Sequence, residues 1–248
     1  MNAQPRFVTA GNAGPLTLDG TRTYLVGNRR VAVIDVGPAL DAHVKAVREA
    51  IEEADEVALL LTHGHSDHAP GTRLLAAELG VDLWGPAAVE GVTRPLGEGD
   101  VVPTDAGDLV AVDTPGHARH HLCLHWPTRR ALFAGDLLIG KGDTVWVGEY
   151  PGCVADYLAS LERVRGLGLA VIYPAHGPAI EHPVEVIDRF VAHRRARIRE
   201  MEGLLAERPD ATAQDLVAAI YGPSLPEGLR RAAERSVEAL KAHVVASM

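Results

Sequence analysis

Cysteine, positive charge and long apolar runs are all scarce in this sequence. The chain of 248 residues contains two cysteines, Cys123 and Cys153, which are too few for a disulfide framework, so we expect a reducing, cytoplasmic location. No apolar run approaches the roughly 20 residues that cross a bilayer. We also expect no signal peptide, because the first residues lack a basic stretch followed by an apolar core. The net charge of −9 argues against general attraction to nucleic acid or anionic membrane, although a local basic patch could bind either.

Histidine is abundant, with 12 residues, and several of them lie together. The apolar run Val57–Leu61 predicts a buried strand. Four side chains of metal-ligand type lie in the loop after it: His63, His65, Asp67 and His68. Imidazole nitrogen together with carboxylate oxygen suits zinc and neighbouring transition metals, whereas a site for hard ions would be all oxygen. A polar surface loop is the alternative, but four ligand-type side chains at this density rarely serve solubility alone.

Further along the chain, ligand-type side chains recur at predicted strand ends. Three follow a strand and a glycine or proline turn: His117, Asp136 and His176. Loops at strand ends are where a rigid sheet carries functional side chains. Taken singly, each could be a surface residue or a helix cap. Together with the four in the first loop, they form a set of seven candidate ligands.

The order of the predicted elements favours an α/β fold with two sheets packed face to face and helices outside, an αβ/βα sandwich. The predicted strands are Arg22–Val26, Val31–Asp35, Val57–Leu61, Val81–Trp84, Leu109–Asp113, His121–Trp126, Arg130–Ala134 and Ala170–Tyr173. The helices predicted among them are Asp41–Glu53, Thr72–Leu79 and Cys153–Val164.

The last part of the chain has helical signals only. We predict helices over Pro183–Glu207, Thr212–Ile220 and Pro226–Val245, and divide the chain into a catalytic domain, 1–182, and a small helical domain, 183–248. The first of these helices carries five arginines: Arg189, Arg194, Arg195, Arg197 and Arg199. They form either an ordinary solvated face or a surface for an anionic partner such as RNA, a coenzyme tail or an acidic carrier protein.

The motifs that carry the seven candidate ligands resemble, in the same order, those of the metallo-β-lactamase superfamily. They are Thr-His-Gly-His-Ser-Asp-His at 62–68, Thr-Pro-Gly-His ending at His117, Gly-Asp ending at Asp136 and Ala-His-Gly around His176. The resemblance covers about residues 20–182 and implies a four-layer αβ/βα sandwich that holds two zinc ions, with Mn²⁺ or Fe²⁺ as alternatives.

The resemblance also implies how the ligands are shared between the two metal ions. The first ion would be bound by His63, His65 and His117. The second would be bound by Asp67, His68 and His176, with Asp136 bridging both. His65 favours a zinc hydrolase, because the oxygen-reducing di-iron members of the superfamily tend to have a glutamate there.

The C-terminal helices resemble the branch whose members carry a winged-helix-like domain, including a mitochondrial endoribonuclease group and some polyketide thioesterases. The sequence departs from the family at Arg22-Thr23, where many relatives have Asn-Thr, and at Ala118–His121. We expect His121 to pack behind the site rather than to bind metal. A two-stranded wing is expected to be short or absent.

The resemblance implies hydrolysis by a hydroxide held between two metal ions, since metal binding lowers the pKa of water toward ~7. Asp67 is expected to be catalytic as well as a ligand, by orienting this hydroxide. Substrate contacts are expected from the loop 137–152, from Lys141, Trp146 and Tyr150.

Three functions remain open at this point. The first is hydrolysis of an ester or thioester in a small-molecule or carrier-bound acyl substrate, which the acidity of the chain favours. The second is a zinc-dependent endoribonuclease or phosphodiesterase acting on single-stranded RNA, and the third is a non-catalytic metal-binding module. Classical β-lactam hydrolysis is disfavoured because those enzymes are typically exported. The sequence does not indicate the oligomeric state, and no membrane partner is expected.

Overall fold

The first of two β-sheets is formed by the N-terminal part of the chain in the computed structural model, which describes residues 4–223 and 225–247. Its strands are β1 (Arg6–Thr9), β2 (Arg22–Val26), β3 (Arg30–Ile34), β4 (Glu56–Leu60), β5 (Leu83–Gly85) and β6 (Arg94–Pro95). They lie side by side in chain order, antiparallel from β1 to β3 and parallel from β3 to β6. The outer ends of the two predicted domains, residues 1 and 248, lie outside the described residues.

The second sheet follows in the chain. Its strands are β7 (Val101–Val102), β8 (Leu109–Asp113), β9 (Leu122–Trp126), β10 (Ala131–Gly135) and β11 (Val171–Pro174). Their order in the sheet is β11-β10-β9-β8-β7, in which β10 and β11 are parallel and the other neighbours are antiparallel. Parallel pairing in both sheets brings several strand ends, and the loops that follow them, to one edge of the molecule.

The two sheets face each other across a continuous hydrophobic core. The first sheet contributes Tyr24, Ile34 and Leu60, and the second contributes Leu124 and Phe133. The rings of Tyr24 and Phe133 lie 5.3 Å apart between centroids. Alternate residues of each strand point the other way, as strand geometry requires, and pack against the helices outside.

Helices cover the outer face of each sheet, which confirms the predicted αβ/βα sandwich. Helix α1 (Asp41–Ala50) and helix α2 (Ala69–Leu79) cover the first sheet, where Val44, Val47 and Leu75 join its buried residues. Helix α3 (Cys153–Arg165) covers the second sheet. In the described part of the chain, no helix is both long and apolar enough to cross a membrane.

The predicted C-terminal helical region is confirmed. It consists of α4 (Pro183–Glu207), α5 (Ala213–Tyr221) and α6 (Arg230–Ser247), and Thr212 caps α5 with a reciprocal capping box to Asp215. Strands are absent from residues 183–223 and 225–247. The buried residues of these helices belong to the same hydrophobic cluster as α3 and the outer face of the second sheet. The predicted division at residue 182 therefore stays a prediction.

Several element boundaries differ from the sequence-based expectation, and helix α1, for example, ends at Ala50 rather than at Glu53. Strand β1 was not predicted, because Arg6–Thr9 is largely exposed and lacks the apolar alternation that indicates a strand. Helix α2 begins at Ala69, three residues before the predicted start, because Pro70 is accommodated in the first turn of a helix. The last helix begins at Arg230 after a 3₁₀ turn, rather than at Pro226.

Candidate metal centre

Four loops at one edge of the sandwich carry the candidate ligands. The loop after β4 supplies the run Thr62–His68, and the loop after β8 supplies His117. Asp136 directly follows β10 and His176 follows β11; because these strands are parallel, their carboxyl ends meet at the same edge. The seven side chains form two groups, and in each group the ligand atoms all lie within 4.8 Å of one another. The groups are His63, His65 and His117, and then Asp67, His68, Asp136 and His176.

In the first group, three ring nitrogens face a common point. His63 Nε2 and His117 Nε2 lie 3.0 and 2.9 Å from His65 Nδ1. These separations are close to the ~3.3 Å expected between the nitrogens of a tetrahedral zinc site with bonds of about 2.0–2.1 Å. The three imidazoles can therefore bind one metal ion with little rearrangement.

The outer nitrogens of two of these rings have acceptors of their own. His117 Nδ1 donates to the backbone carbonyl of Trp146 at 2.9 Å, and His65 Nε2 lies 3.3 Å from Glu149 Oε1. The acceptors assign the ring hydrogens to the outer nitrogens, which leaves a lone pair on each nitrogen that faces inward. Ligating histidines in metalloproteins are held in this way.

A buried carboxylate that sequence reasoning missed, Asp35, orients one histidine of each group. His63 Nδ1 lies 3.0 Å from Thr62 Oγ1, whose own hydrogen is donated to Asp35 Oδ2 at 2.7 Å. His68 Nδ1 lies 2.9 Å from the same carboxylate oxygen. Asp35 follows β3 directly, so the rule that located the seven ligands, a polar residue just past a strand end, could also have found it.

Asp136 lies between the two groups and faces both. Its Oδ2 atom is 3.5 Å from His117 Nε2. Its Oδ1 atom is 3.5 Å from His68 Nε2 and 3.2 Å from His176 Nε2. Asp67 Oδ2 lies 3.7 and 3.3 Å from the same two histidine nitrogens. One carboxylate thus presents an oxygen to each group, which is the arrangement that a bridging ligand requires.

The histidines of the two ligand groups differ in protonation. Burial lowers the pKa of His117 to about 4 and that of His63 well below its usual value, so both rings are neutral, as metal ligation requires. Burial opposes the charged form of His68 and His176 too, but the Asp136 carboxylate outweighs it and raises the pKa of His176 to about 9 and that of His68 well above the usual value. Burial likewise opposes ionisation of Asp136, yet the two histidines hold its pKa well below its usual value.

Three buried atoms of the second group test whether a metal ion fits. His68 Nε2, Asp136 Oδ1 and His176 Nε2 have no hydrogen-bond partner among the described residues, because the short distances between them lack hydrogen-bond geometry. Buried polar atoms are normally satisfied. A cation between these atoms would satisfy all three at once and displace the ring protons. The residues present therefore fit a pair of metal ions.

Gly135 and His121 position the backbone of Asp136. Gly135 has a φ of +48°, and a Cβ there would lie 2.7 Å from His121 Nε2. That nitrogen accepts a hydrogen bond from the Asp136 backbone N–H at 3.2 Å, while His121 Nδ1 lies 2.8 Å from Thr114 Oγ1. Both nitrogens of His121 are thus used within the protein, in agreement with the expectation that it packs behind the site.

The metal centre opens into a cavity of about 680 Å³. His65, Asp67, His117 and Asp136 form part of its wall. Other parts of the wall come from the loop 137–152 and from the three C-terminal helices. This volume lies within the range of small-molecule sites in proteins. The C-terminal helices thus enclose the space in front of the candidate ligands.

Of the three predicted substrate contacts, the wall contains Trp146, whose ring centroid lies 6.1 Å from that of His65. Lys141 is exposed and is not among the described residues that line the cavity. Tyr150 is buried away from it and donates its hydroxyl hydrogen to Asp156 at 2.8 Å. The structure thus brings Trp146 to the site but not Lys141 or Tyr150.

A four-layer sandwich with a histidine and aspartate cluster at one edge defines a class of α/β proteins able to hold metal. The chain belongs to the metallo-beta-lactamase superfamily, whose family profile matches residues 16–176. A Caenorhabditis elegans protein named beta-lactamase-like protein 2 homolog is 33% identical over 239 residues, which cover 92% of this chain and 79% of that protein. Thioesterase pkgB of Emericella nidulans is 35% identical over 199 residues, or 79% of this chain and 57% of its own length.

Two solved structures share this fold. A metallo-beta-lactamase family protein from Thermus thermophilus superposes with a TM-score of 0.81 at 22% identity, over 98% of this chain and 93% of that one. The protein TTHA1623, solved in a di-iron-bound form, has a TM-score of 0.58 at 25% identity, over 73% of this chain and 96% of its own. The fold is therefore that of the superfamily.

Proposed function

We propose that this protein is a metal-dependent hydrolase that uses a dinuclear centre, preferably of zinc, to cleave an ester or thioester. The observation that carries the proposal is Asp136, which presents one oxygen to each of two ligand groups beside a substrate-sized cavity. A relative named a thioesterase supports the reaction class. Imidazole-rich ligation supports zinc, while the di-iron form of TTHA1623 makes iron the metal to compare.

The seven candidate ligands would be shared between two metal ions. His63, His65 and His117 would hold one ion, and Asp67, His68 and His176 the other, with Asp136 between them. A divalent metal pair lowers the pKa of water and polarises a carbonyl oxygen. In the overall reaction, the hydroxyl of water joins the acyl carbon, the C–S or C–O bond breaks, and the proton passes to the departing thiolate or alkoxide.

Asp67 is proposed to act on the attacking water and on its proton. Its side chain is 26% exposed and lines the cavity, whereas Asp136 is more enclosed, so Asp67 has better access to substrate. Burial opposes its ionisation, but His176 and His68 hold the pKa of Asp67 below its usual value. An ionised carboxylate at the cavity wall accepts a hydrogen bond from water and thereby fixes the direction of its lone pair.

A cytoplasmic location is also proposed. Cys123 and Cys153 are both free and buried, and burial raises the pKa of the Cys123 thiol to about 12. These thiols therefore behave as core residues, which fits a compartment where disulfides are not needed.

Metal analysis and a substrate panel test the proposal together. We expect close to two equivalents of metal in the purified protein, with loss of activity after chelation and recovery with zinc. The panel offers a generic thioester, a lactone and a labelled single-stranded RNA to the wild type and to Asp67→Asn. We expect thioester or ester turnover, reduced in the variant by about 10²–10⁴-fold because a positioned acid–base group is lost.

The panel also decides between the reaction classes. RNA cleavage without acyl hydrolysis would replace the proposal with a phosphodiesterase. Full activity in a metal-free preparation would exclude the metal mechanism. Metal binding without turnover of any substrate would favour the non-catalytic alternative.

A further inference from the structure

The charged residues of the cavity wall are distributed unevenly. The acidic residues among the described wall residues are Asp67 and Asp136, and both belong to the candidate metal centre. The part of the wall built by the C-terminal helices instead carries four arginines: Arg194, Arg197, Arg231 and Arg235. In a chain with a net charge of −9, this local excess of positive charge points to a ligand of opposite sign.

Arg194 is the unusual member of this set because it is buried, with only 6% of its surface exposed. One guanidinium nitrogen, Nη2, donates to the carbonyl oxygen of Val145 at 3.1 Å, and the group lies 5.4 Å from the ring centroid of Tyr157. Its Nε atom has no hydrogen-bond partner, and no described carboxylate forms an ion pair with it. A buried guanidinium without a counter-ion costs free energy, which an incoming anion would recover.

Two other arginines of the same helix have carboxylate partners, which Arg194 lacks. Arg197 lies 2.7 Å from Glu200, and Arg195 lies 3.5 Å from Glu162. A long polyanion such as RNA would need a row of free surface cations. One buried guanidinium inside a cavity instead suits a single oxyanion at the end of a small ligand. Arg194 therefore favours a small anionic ligand over RNA.

We propose that Arg194 forms an anion subsite that binds a carboxylate or phosphate group at the far end of the substrate, with Arg197 and Arg235 at its margin. Much of the remaining wall is apolar: Leu16, Ile139, Val145, Leu225, Leu229 and Leu240. The substrate class is thus an amphipathic ester or thioester with an apolar segment between the reacting carbonyl and an anionic end. This inference rests on the proposed hydrolase function.

Matched ligands test the subsite. The metal-loaded protein is given thioesters of increasing spacer length whose far end carries a hydroxyl, a carboxylate or a phosphate. The corresponding thioethers, which cannot be hydrolysed, are titrated by calorimetry. We expect the anionic member of each pair to bind and react about 10–100-fold better, the range expected for a hydrogen-bonded charged partner. The larger of the two anionic preferences identifies the group as carboxylate or phosphate.

Variants locate the effect. Arg194→Gln should remove most of the preference for anionic ligands. Arg194→Lys keeps the charge but loses the planar guanidinium with its paired donors, so it should retain part of that preference. Arg199→Gln is the matched control, because Arg199 is exposed on the same helix and does not line the cavity among the described residues. If Arg194→Gln fails to fold, the wild-type preference itself still decides, since equal binding of neutral and anionic thioethers overturns the subsite.

The two proposals fail separately. Hydrolysis of neutral and anionic thioesters at equal rates would support the hydrolase and overturn the subsite. Preferential binding of the anionic thioether without turnover of any thioester would support the subsite and overturn the hydrolase. An anionic preference that survives in Arg194→Gln would also overturn the assignment to this residue, as would an effect of that substitution on RNA cleavage alone.

Discussion

At the residue scale, each candidate histidine ligand is oriented by the oxygen atom that its outer ring nitrogen contacts. In each of the five candidate histidine ligands, one nitrogen faces the other ligands of its group and the other nitrogen is turned to an oxygen of the protein. These oxygens come from side chains such as Glu149 and from backbone carbonyls such as that of Trp146. Such outer partners fix the tautomer and raise the basicity of the inner nitrogen. They are therefore expected to govern metal affinity.

The substitution Glu149→Ala should weaken metal binding at the three-histidine group. Glu149 Oε1 lies 3.3 Å from His65 Nε2, and its Oε2 atom accepts a hydrogen bond from the backbone N–H of Arg119. Loss of such a partner typically lowers metal affinity about 10–100-fold. The measurement is a competition titration against a chromogenic chelator.

The matched control for this prediction is Glu52→Ala, an exposed glutamate remote from the site. It removes the same charge and should leave metal affinity unchanged. An equal loss of affinity in both variants would mean that net charge, rather than orientation of His65, determines binding.

The candidate metal ligands could be predicted from sequence, whereas the residues behind them largely could not. His63, His65, Asp67 and His68 follow a buried strand within six positions, a local signal that needs no tertiary information. Glu149 lies 84 positions from the histidine it contacts, so only the folded chain brings them together. Asp35 had the right local signal, but a single aspartate after a strand also fits an ordinary turn.

At the element scale, the loop 137–152 connects the C-terminal helices to a candidate metal ligand. Trp146 donates its indole N–H to the carbonyl oxygen of Ala232 on α6, at 2.9 Å. Ser236 on the same helix donates to the carbonyl oxygen of Val147 at 3.0 Å. Since the backbone carbonyl of Trp146 also accepts from His117, a shift of α6 would be transmitted to that histidine.

The substitution Gly148→Ala should separate this loop from α6. A Cβ at Gly148 would lie 2.8 Å from the backbone nitrogen of Ser236 and 2.9 Å from the carbonyl carbon of Arg235. Neither backbone can move aside easily, so we expect a loss of about 1–3 kcal/mol in the free energy of unfolding, typical of overpacking. Denaturant unfolding measures it.

Gly203→Ala is the matched control and should act in the opposite direction. Gly203 lies within α4, and a Cβ there would meet nothing within 4 Å. Replacing an exposed helical glycine with alanine stabilises by about 0.5–1 kcal/mol. Equal stability of Gly148→Ala and the wild type would show that the loop and α6 can separate freely.

The loop 137–152 and helix α3 show which structural elements could be predicted from the sequence. Its involvement in the cavity was predicted, and Trp146 does lie in the wall. Lys141 and Tyr150 do not, because a loop without a repeating pattern gives no indication of which side chains face inward. Helix α3, in contrast, was placed to within one residue, since its apolar side chains recur with helical spacing.

At the scale of the whole molecule, one hydrophobic cluster joins both parts of the chain. Ile172 of the second sheet and Tyr157 of α3 belong to the same cluster as Phe190, Met201 and Val237 of the C-terminal helices. The helices after residue 182 therefore cover a face that the preceding part of the chain cannot cover itself. This continuity favours a single folding unit over two independent ones.

A fragment of residues 1–182 should fail to fold cooperatively. It would expose buried apolar side chains of α3 and of the second sheet, Tyr157, Leu161 and Ile172 among them. Such large exposed apolar patches lead to aggregation or molten states. Thermal unfolding by circular dichroism, compared with that of the full chain, measures the effect. A sharp transition in the fragment would instead support the predicted boundary at residue 182.

Asp35 gives the two ligand groups a common anchor. The same carboxylate oxygen receives the Thr62 hydroxyl that supports His63 and also lies beside the outer nitrogen of His68. If binding of one metal ion moves that oxygen, the position of the histidine in the other ligand group changes as well. We expect the two ions to load cooperatively, as a coupled pair whose second affinity depends on whether the first position is filled.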